Sequence, residues 1–175
     1  MRSAPRKFST EAGLYAAATR ALMRRAHSVH EMKEYLALRA EDKDHADAVL
    51  QKLRELNYLD DARYARDFAR AHAQNRHQGK FRIARELRAR GVPDRHIEAA
   101  LASVFAETDE AALVKSRIER QLRRLRGGPL DEKKSASLYR SLLRAGFSAD
   151  VIRTQLRAAS REPLPEFEDP SNSES

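Results

Sequence analysis

Residues 82–104 read RIARELRARGVPDRHIEAALASV. Ile83 and Leu87 before Gly91, and Ile97 and Leu101 after Pro93, recur at the spacing of one helix face, so the stretch predicts two helices broken by a turn. The same pattern occurs twice more. Residues 31–53 (EMKEYLALRAEDKDHADAVLQKL) and 137–159 (SLYRSLLRAGFSADVIRTQLRAA) align with it without gaps, at offsets of 51 and 55 residues. Met32, Ile83 and Leu138 fall in one column, then Leu36, Leu87 and Leu142, then Ala46, Ile97 and Ile152, then Leu50, Leu101 and Leu156. A period of this length marks a repeat protein. Three copies of one helix-turn-helix unit are predicted.

Turn chemistry supports the register independently of the apolar columns. Gly91 and Gly146 stand where a helix ends in a left-handed residue, which glycine adopts without steric cost. Ser148 and Asp42 are N-cap residues for the helices that follow, and Pro93 suits a helix start. Val92 with Ile97, and Phe147 with Ile152, have the spacing of hydrophobic staples. The first copy departs from the pattern: Ala40 replaces glycine and Glu41 the stapling residue, which predicts a longer or looser turn.

A further helix precedes each copy, over residues 10–26, 61–76 and 109–126. Ser28 with Glu31 forms a capping box, and Asp60, flanked by Leu59 and Tyr64 as a staple, opens the helix that carries Phe68. The expected architecture is therefore all-α, an elongated, curved array of three tandem three-helix repeats over 10–58, 59–106 and 107–160. Units of this kind bury too little alone and depend on their neighbours. Residues 161–175 are proline-rich and acidic without helical period, which predicts a disordered tail.

Among the 175 residues, 34 Lys and Arg outnumber 26 Asp and Glu, giving a formal charge of +8 and a field that favours an anionic partner. No cysteine is present, so disulfides, thiolate nucleophiles and Cys-ligated metals are excluded. The start MRSAPRKFSTEAG lacks the apolar core of a signal peptide, and no stretch has the apolar length of a membrane span. A cytoplasmic protein with no membrane association is expected.

A search for chemistry returns little. The adjacent acids Asp60 and Asp61 point in different directions at a helix start, and capping with helix-dipole stabilisation explains them better than acid-base catalysis. His27 with His30 lacks a third metal ligand, and His72 and His77, five apart, are rotated away from one another on a helix. RLRGGPL, residues 124–130, reads as a break between helices and not as a phosphate loop. No enzyme, cofactor or metal site is expected. The cations carry more information. Arg63, Arg66 and Arg70 recur at i, i+3 and i+7, while Tyr64 and Phe68 form a separate apolar line and Ala65, Ala69 and Ala71 permit close packing. Arg76, Lys80, Arg82, Arg85 and Arg88 continue the charge, and a second run contributes Lys115, Arg117, Arg120, Arg123, Arg124 and Arg126. Solvated helix faces would account for such stripes. The central segment, however, has too few acids to neutralise them, which favours an anion-facing surface. Phe81, with Tyr64 and Phe68, is assigned to core or staple rather than to base stacking.

The central segment, with YLDDARYARDFA at residues 58–69, Gly79 before a basic helix, and ELRARGV at 86–92, resembles the RecX family of regulators of the RecA recombinase. Similarity extends, with less specific motifs, over about residues 12–160. Leu59, Asp60, Asp61, Tyr64, Ala65 and Phe68 match the first signature, and Arg82, Glu86, Leu87, Gly91 and Val92 the second. The resemblance implies a bacterial cytoplasmic protein that binds RecA filaments on single-stranded DNA and restrains strand exchange, ATP hydrolysis and co-protease function, with no active site or cofactor of its own. Its implied partner is the RecA nucleoprotein filament, with contacts to single- or double-stranded DNA backbone as an addition, and a monomer is expected. The alternative is a stand-alone basic nucleic-acid-binding helical protein, whose affinity falls steeply with salt. A helical scaffold for some other client is the third reading. The acids of the tail, Glu162, Glu166, Glu168, Asp169 and Glu174, are placed to shield the basic face within the chain.

Overall fold

The computed structural model describes residues 5–124 and 131–160. Over these it is all-α: α1 Glu11–Arg24, α2 Val29–Ala37, α3 Lys43–Glu55, α4 Asp61–Arg76, α5 Lys80–Arg88, α6 Asp94–Glu107, α7 Glu110–Arg124, α8 Glu132–Arg144 and α9 Ala149–Ala159. Three tandem groups of three helices follow one another along the chain. Among the described residues the extended pairing is confined to one isolated bridge, Phe8 with Ala40. No described helix is long and apolar enough to cross a membrane. Arg126 and the acidic tail lie outside the described residues.

Two compact units divide the chain. The first combines Met1–Asp67 with Glu86–Ala100, and the second combines Phe68–Arg85 with Leu101–Ser175. The three helices of the middle group therefore contribute residues to both. In the first unit α1, α2 and α3 enclose Leu14, Ala18, Met32, Leu36, Val49 and Leu53. In the second α7, α8 and α9 enclose Val114, Ile118, Leu138, Leu142, Phe147, Ile152 and Leu156. Each fully buried aliphatic or aromatic side chain of this size contributes on the order of 2 kcal/mol. Three of the aligned columns are buried in every copy, whereas in the fourth only Leu156 is fully enclosed, with Leu50 and Leu101 half-buried.

Helix starts follow the sequence closely. Thr10, Asp42, Asp60, Asp109 and Asp131 each accept a hydrogen bond from a backbone N–H of the first turn. Ser28 makes the full capping box with Glu31. Ser148 occupies its N-cap position, but its side chain makes no cap hydrogen bond. At the helix ends Gly91 and Gly146 take φ +70° and +89°. In both turns the residue after glycine bonds back to the fifth residue before it, Val92 to the Leu87 carbonyl and Phe147 to that of Leu142. This is a Schellman closure, and it consumes carbonyls that a helix end leaves unpaired.

The first turn is closed by other means. Ala40 stays out of the left-handed region, and its neighbours pair with the N-terminal segment: Phe8 N–H donates to the Arg39 carbonyl at 2.8 Å, and Glu41 N–H to the Phe8 carbonyl at 3.1 Å. Asn57, at φ +56°, ends α3 in the way glycine ends α5 and α8. A short amide side chain tolerates that conformation. Two packing expectations change. Phe81 is 59% exposed, because Ile83, Ala84 and Leu87 set the buried face of α5 and place Phe81 off it. Ala71 is likewise exposed, and Ala73 joins Ala65 and Ala69 on the buried face of α4.

Candidate interaction surface

The motif residues of the central segment mostly hold the chain to itself. Asp60 caps α4, and the N–H groups of Arg63 and then Ala62 hold its carboxyl below the ordinary carboxylate value. Asp61 turns away and accepts from the Val29 N–H at 2.9 Å, in the first turn of α2. The two acids thus have separate structural jobs and do not form a catalytic pair. Leu59 is buried, and Tyr64, half-buried, reaches the Glu31 carboxylate at 3.4 Å. Burial pushes Glu31 up, but hydrogen bonds from Arg25 and the Ser28 N–H outweigh it and hold the carboxyl low. Phe68 is half-buried and stacks on the His72 ring at 3.7 Å.

The histidines have local partners. His27 Nδ1 meets the Arg25 carbonyl, His30 faces Glu34, and His72 Nδ1 meets Gln78 Oε1 at 2.7 Å. Burial, reinforced by Arg25, lowers the pKa of His27. The described residues contain no group of three or more potential metal-ligating side chains.

Cations are distributed over both units. In the first, Arg63 and Arg66 are exposed, and Arg63 also donates to the Asn57 carbonyl at 3.2 Å. Arg88 is exposed but paired with Asp94 at 2.6 Å, so its charge is largely answered locally. In the second, Arg70, Arg76, Arg85, Lys115, Arg120, Arg123 and Arg124 are exposed, whereas Lys80, Arg82 and Arg117 are half-buried. Arg117 is fixed: its guanidinium donates to the His77 carbonyl at 2.7 Å and lies 6.0 Å from the Phe147 ring centre. Burial first, then the charges of Arg120 and Arg82, lower its pKa. Arg82 of α5 and Arg120 of α7 thus both add positive charge at Arg117. Glu110 is pushed up by burial and pulled partly back by Lys80.

Some of these roles left no trace in the sequence. The buried Ser28 hydroxyl donates to the Arg90 carbonyl at 2.6 Å, a second task for a residue already legible as a cap. Gly79 is needed for close approach, since a Cβ there would strike the backbone of Gly146. Nothing in the local pattern announces contacts made across 62 or 67 residues of chain.

Fold and surface together define an all-α protein of tandem three-helix repeats, with fixed arginines on its surface. A sequence model described as the RecX second three-helix domain matches residues 60–101. The regulatory protein RecX of Halorhodospira halophila is 38% identical over 146 residues, covering 83% of this chain and 88% of that protein. That of Chromobacterium violaceum is 35% identical over 143 residues, 82% of this chain and 88% of its own. The chain belongs to the RecX family. In fold it is also similar to the crystal structure of RecX from Lactobacillus salivarius, with a TM-score of 0.74 at 23% identity over 85% of this chain and 95% of that one.

Proposed function

We propose that this protein is a monomeric, cytoplasmic regulator that occupies RecA filaments on single-stranded DNA and mainly inhibits their recombinase, ATPase and co-protease activities. Its working parts are three repeats, over residues 10–58, 59–106 and 107–160. It acts by occupancy, with no reaction or cofactor of its own. Support for an anion-facing role comes above all from α7, which carries Lys115, Arg120, Arg123 and Arg124 at exposed positions of one helix. Like charges held together cost stability, and a phosphate or carboxylate placed among them removes that cost. Membership of a family of regulatory proteins agrees with this reading.

The test is ATP hydrolysis by the cognate RecA on single-stranded DNA, titrated with this protein, beside direct DNA binding at matched salt. Inhibition is expected at concentrations too low to coat bare DNA. Arg120→Glu with Arg123→Glu, both at exposed positions, should weaken it by at least ~10-fold, the effect of about 1.4 kcal/mol, with the helical circular dichroism unchanged. Inhibition that begins only when the DNA is saturated would instead establish the stand-alone nucleic-acid-binding reading.

A further inference from the structure

Of the large apolar side chains exposed among the described residues, Met23, Leu38, Leu56 and Tyr58 belong to the first unit and Phe81 to the second, the unit that also carries the exposed cations of α7. One exposed apolar side chain is ordinary by itself. The setting of Phe81 is not. Its ring stands clear because Ile83, Ala84 and Leu87 take the buried face of α5, yet the backbone beneath it is fixed. Gly79 N–H donates to the Ala145 carbonyl at 2.9 Å and Phe81 N–H to that of Gly146 at 3.1 Å, so the start of α5 is pinned to the turn before α9. Little backbone freedom is left to lose when a ligand binds there.

Cations flank the ring. Lys80 Nζ lies 5.3 Å from the ring centre. Arg85, exposed, stands one turn further along the same face, a spacing that puts Cβ atoms about 5–6 Å apart. Among the described residues neither Lys80 nor Arg85 forms an ion pair. Their acidic neighbours, Glu110 by Lys80 and Glu86 next along the helix, are both half-buried. Elsewhere the charge is already engaged: Arg88 is answered by Asp94, and Arg117 is held by the His77 carbonyl. The start of α5 thus offers an aromatic face between two unanswered cations on a rigid base.

We propose that Phe81 is a stacking platform for an unpaired nucleobase, with Lys80 and Arg85 taking the neighbouring phosphates, so that this surface selects single-stranded over double-stranded nucleic acid. Each part has one task. The cations attract any phosphate backbone, paired or not, and carry no preference between the two. The ring supplies the preference, because a base in a duplex has its faces covered by its neighbours whereas an unpaired base leaves one free. Stacking of this kind tolerates every base, since each has a π face. The inference goes beyond occupancy of the RecA filament and is tested on bare DNA.

Fluorescence anisotropy with a labelled oligodeoxythymidine and with a duplex of equal length, across a salt series and without RecA, reads the result. The parent should prefer the single strand. Phe81→Ala should weaken single-strand binding on the order of 10-fold, leaving duplex affinity and the salt dependence unchanged because the ring carries no charge. Phe81→Tyr should bind like the parent, and Phe81→Leu, apolar without a π face, like Phe81→Ala. Arg85→Gln should weaken both forms and flatten the single-strand salt slope by roughly 0.7. A parent without single-strand preference, a Phe81→Ala chain that keeps it, or full binding by Phe81→Leu overturns the proposal. So does a Phe81→Ala chain with intact DNA binding but weakened inhibition of RecA, which would set the ring against protein. Should Phe81→Ala lose its helical circular dichroism, Phe81→Trp decides: the chain has no natural tryptophan, so the new emission should be quenched as oligodeoxythymidine saturates, and emission that stays constant is equally decisive.

Discussion

Gly146 is the position where backbone conformation and packing coincide. At φ +89° an L side chain is strained, and a Cβ there would meet the backbone nitrogen and the Cβ of Arg82. Strain and overlap together predict a loss of about 2–5 kcal/mol for Gly146→Ala, since the atoms in the way belong to a helix start that cannot move aside. Gly91→Ala is the control. Its φ is also positive, and the obstacle is His30, whose ring, on a side chain 51% exposed, can swing away but whose Cβ, also in the way of the added atom, moves only with the α2 backbone. A loss above the left-handed penalty of roughly 1–2 kcal/mol but below that of Gly146→Ala, where two backbone atoms of Arg82 are met, should result. Urea unfolding of the two variants measures the difference, and equal losses would remove the distinction between backbone and side-chain obstruction.

Among the helices, α2 shows how one start serves two purposes. Ser28 is fully buried, caps its own helix and donates to a carbonyl of the turn before α6. Ser28→Ala therefore loses a cap, worth about 1 kcal/mol, and strands a buried carbonyl at about 1–3 kcal/mol more. Ser148→Ala, at an N-cap with no side-chain hydrogen bond, should change stability by less than about 0.5 kcal/mol. Thermal melts of both check the pair. The helices themselves were legible because burial imposes a period: Met32, Ile83 and Leu138, and the columns beside them, are enclosed in all three copies. Closure of the first turn was not legible. Phe8 and Arg39 pair through backbone atoms, which any residue carries, so no side-chain pattern records the bond. Phe81 misled for a related reason: an aromatic in a basic helix reads as core until the facing residues fix which side is buried.

For the molecule as a whole, net charge was readable at once and its deployment was not. Arg88 and Arg120 look alike in a sequence, yet one is answered by Asp94 and the other adds its charge to the field at Arg117. Only the fold distinguishes a neutralised cation from a concentrated one. The tail acids Glu162, Glu166, Glu168, Asp169 and Glu174 bear on the same balance. Removing residues 161–175 should tighten binding to single-stranded DNA at low salt, with the difference fading above physiological ionic strength, where the screening length falls below about 8 Å. Fluorescence anisotropy across a salt series measures it, and an affinity unchanged at low salt would count against shielding by the tail. The joint built from an upstream donor and the carbonyls of a helix-ending turn has a separate consequence. Because a donor from upstream meets the turn in each group, the Ser28 side chain at Arg90 and a backbone N–H at Arg39 and Ala145, a block of about fifty residues inserted in register is expected to carry its own joint with it. Chains built this way change length in whole modules, and the surface they offer a partner is set in fixed increments.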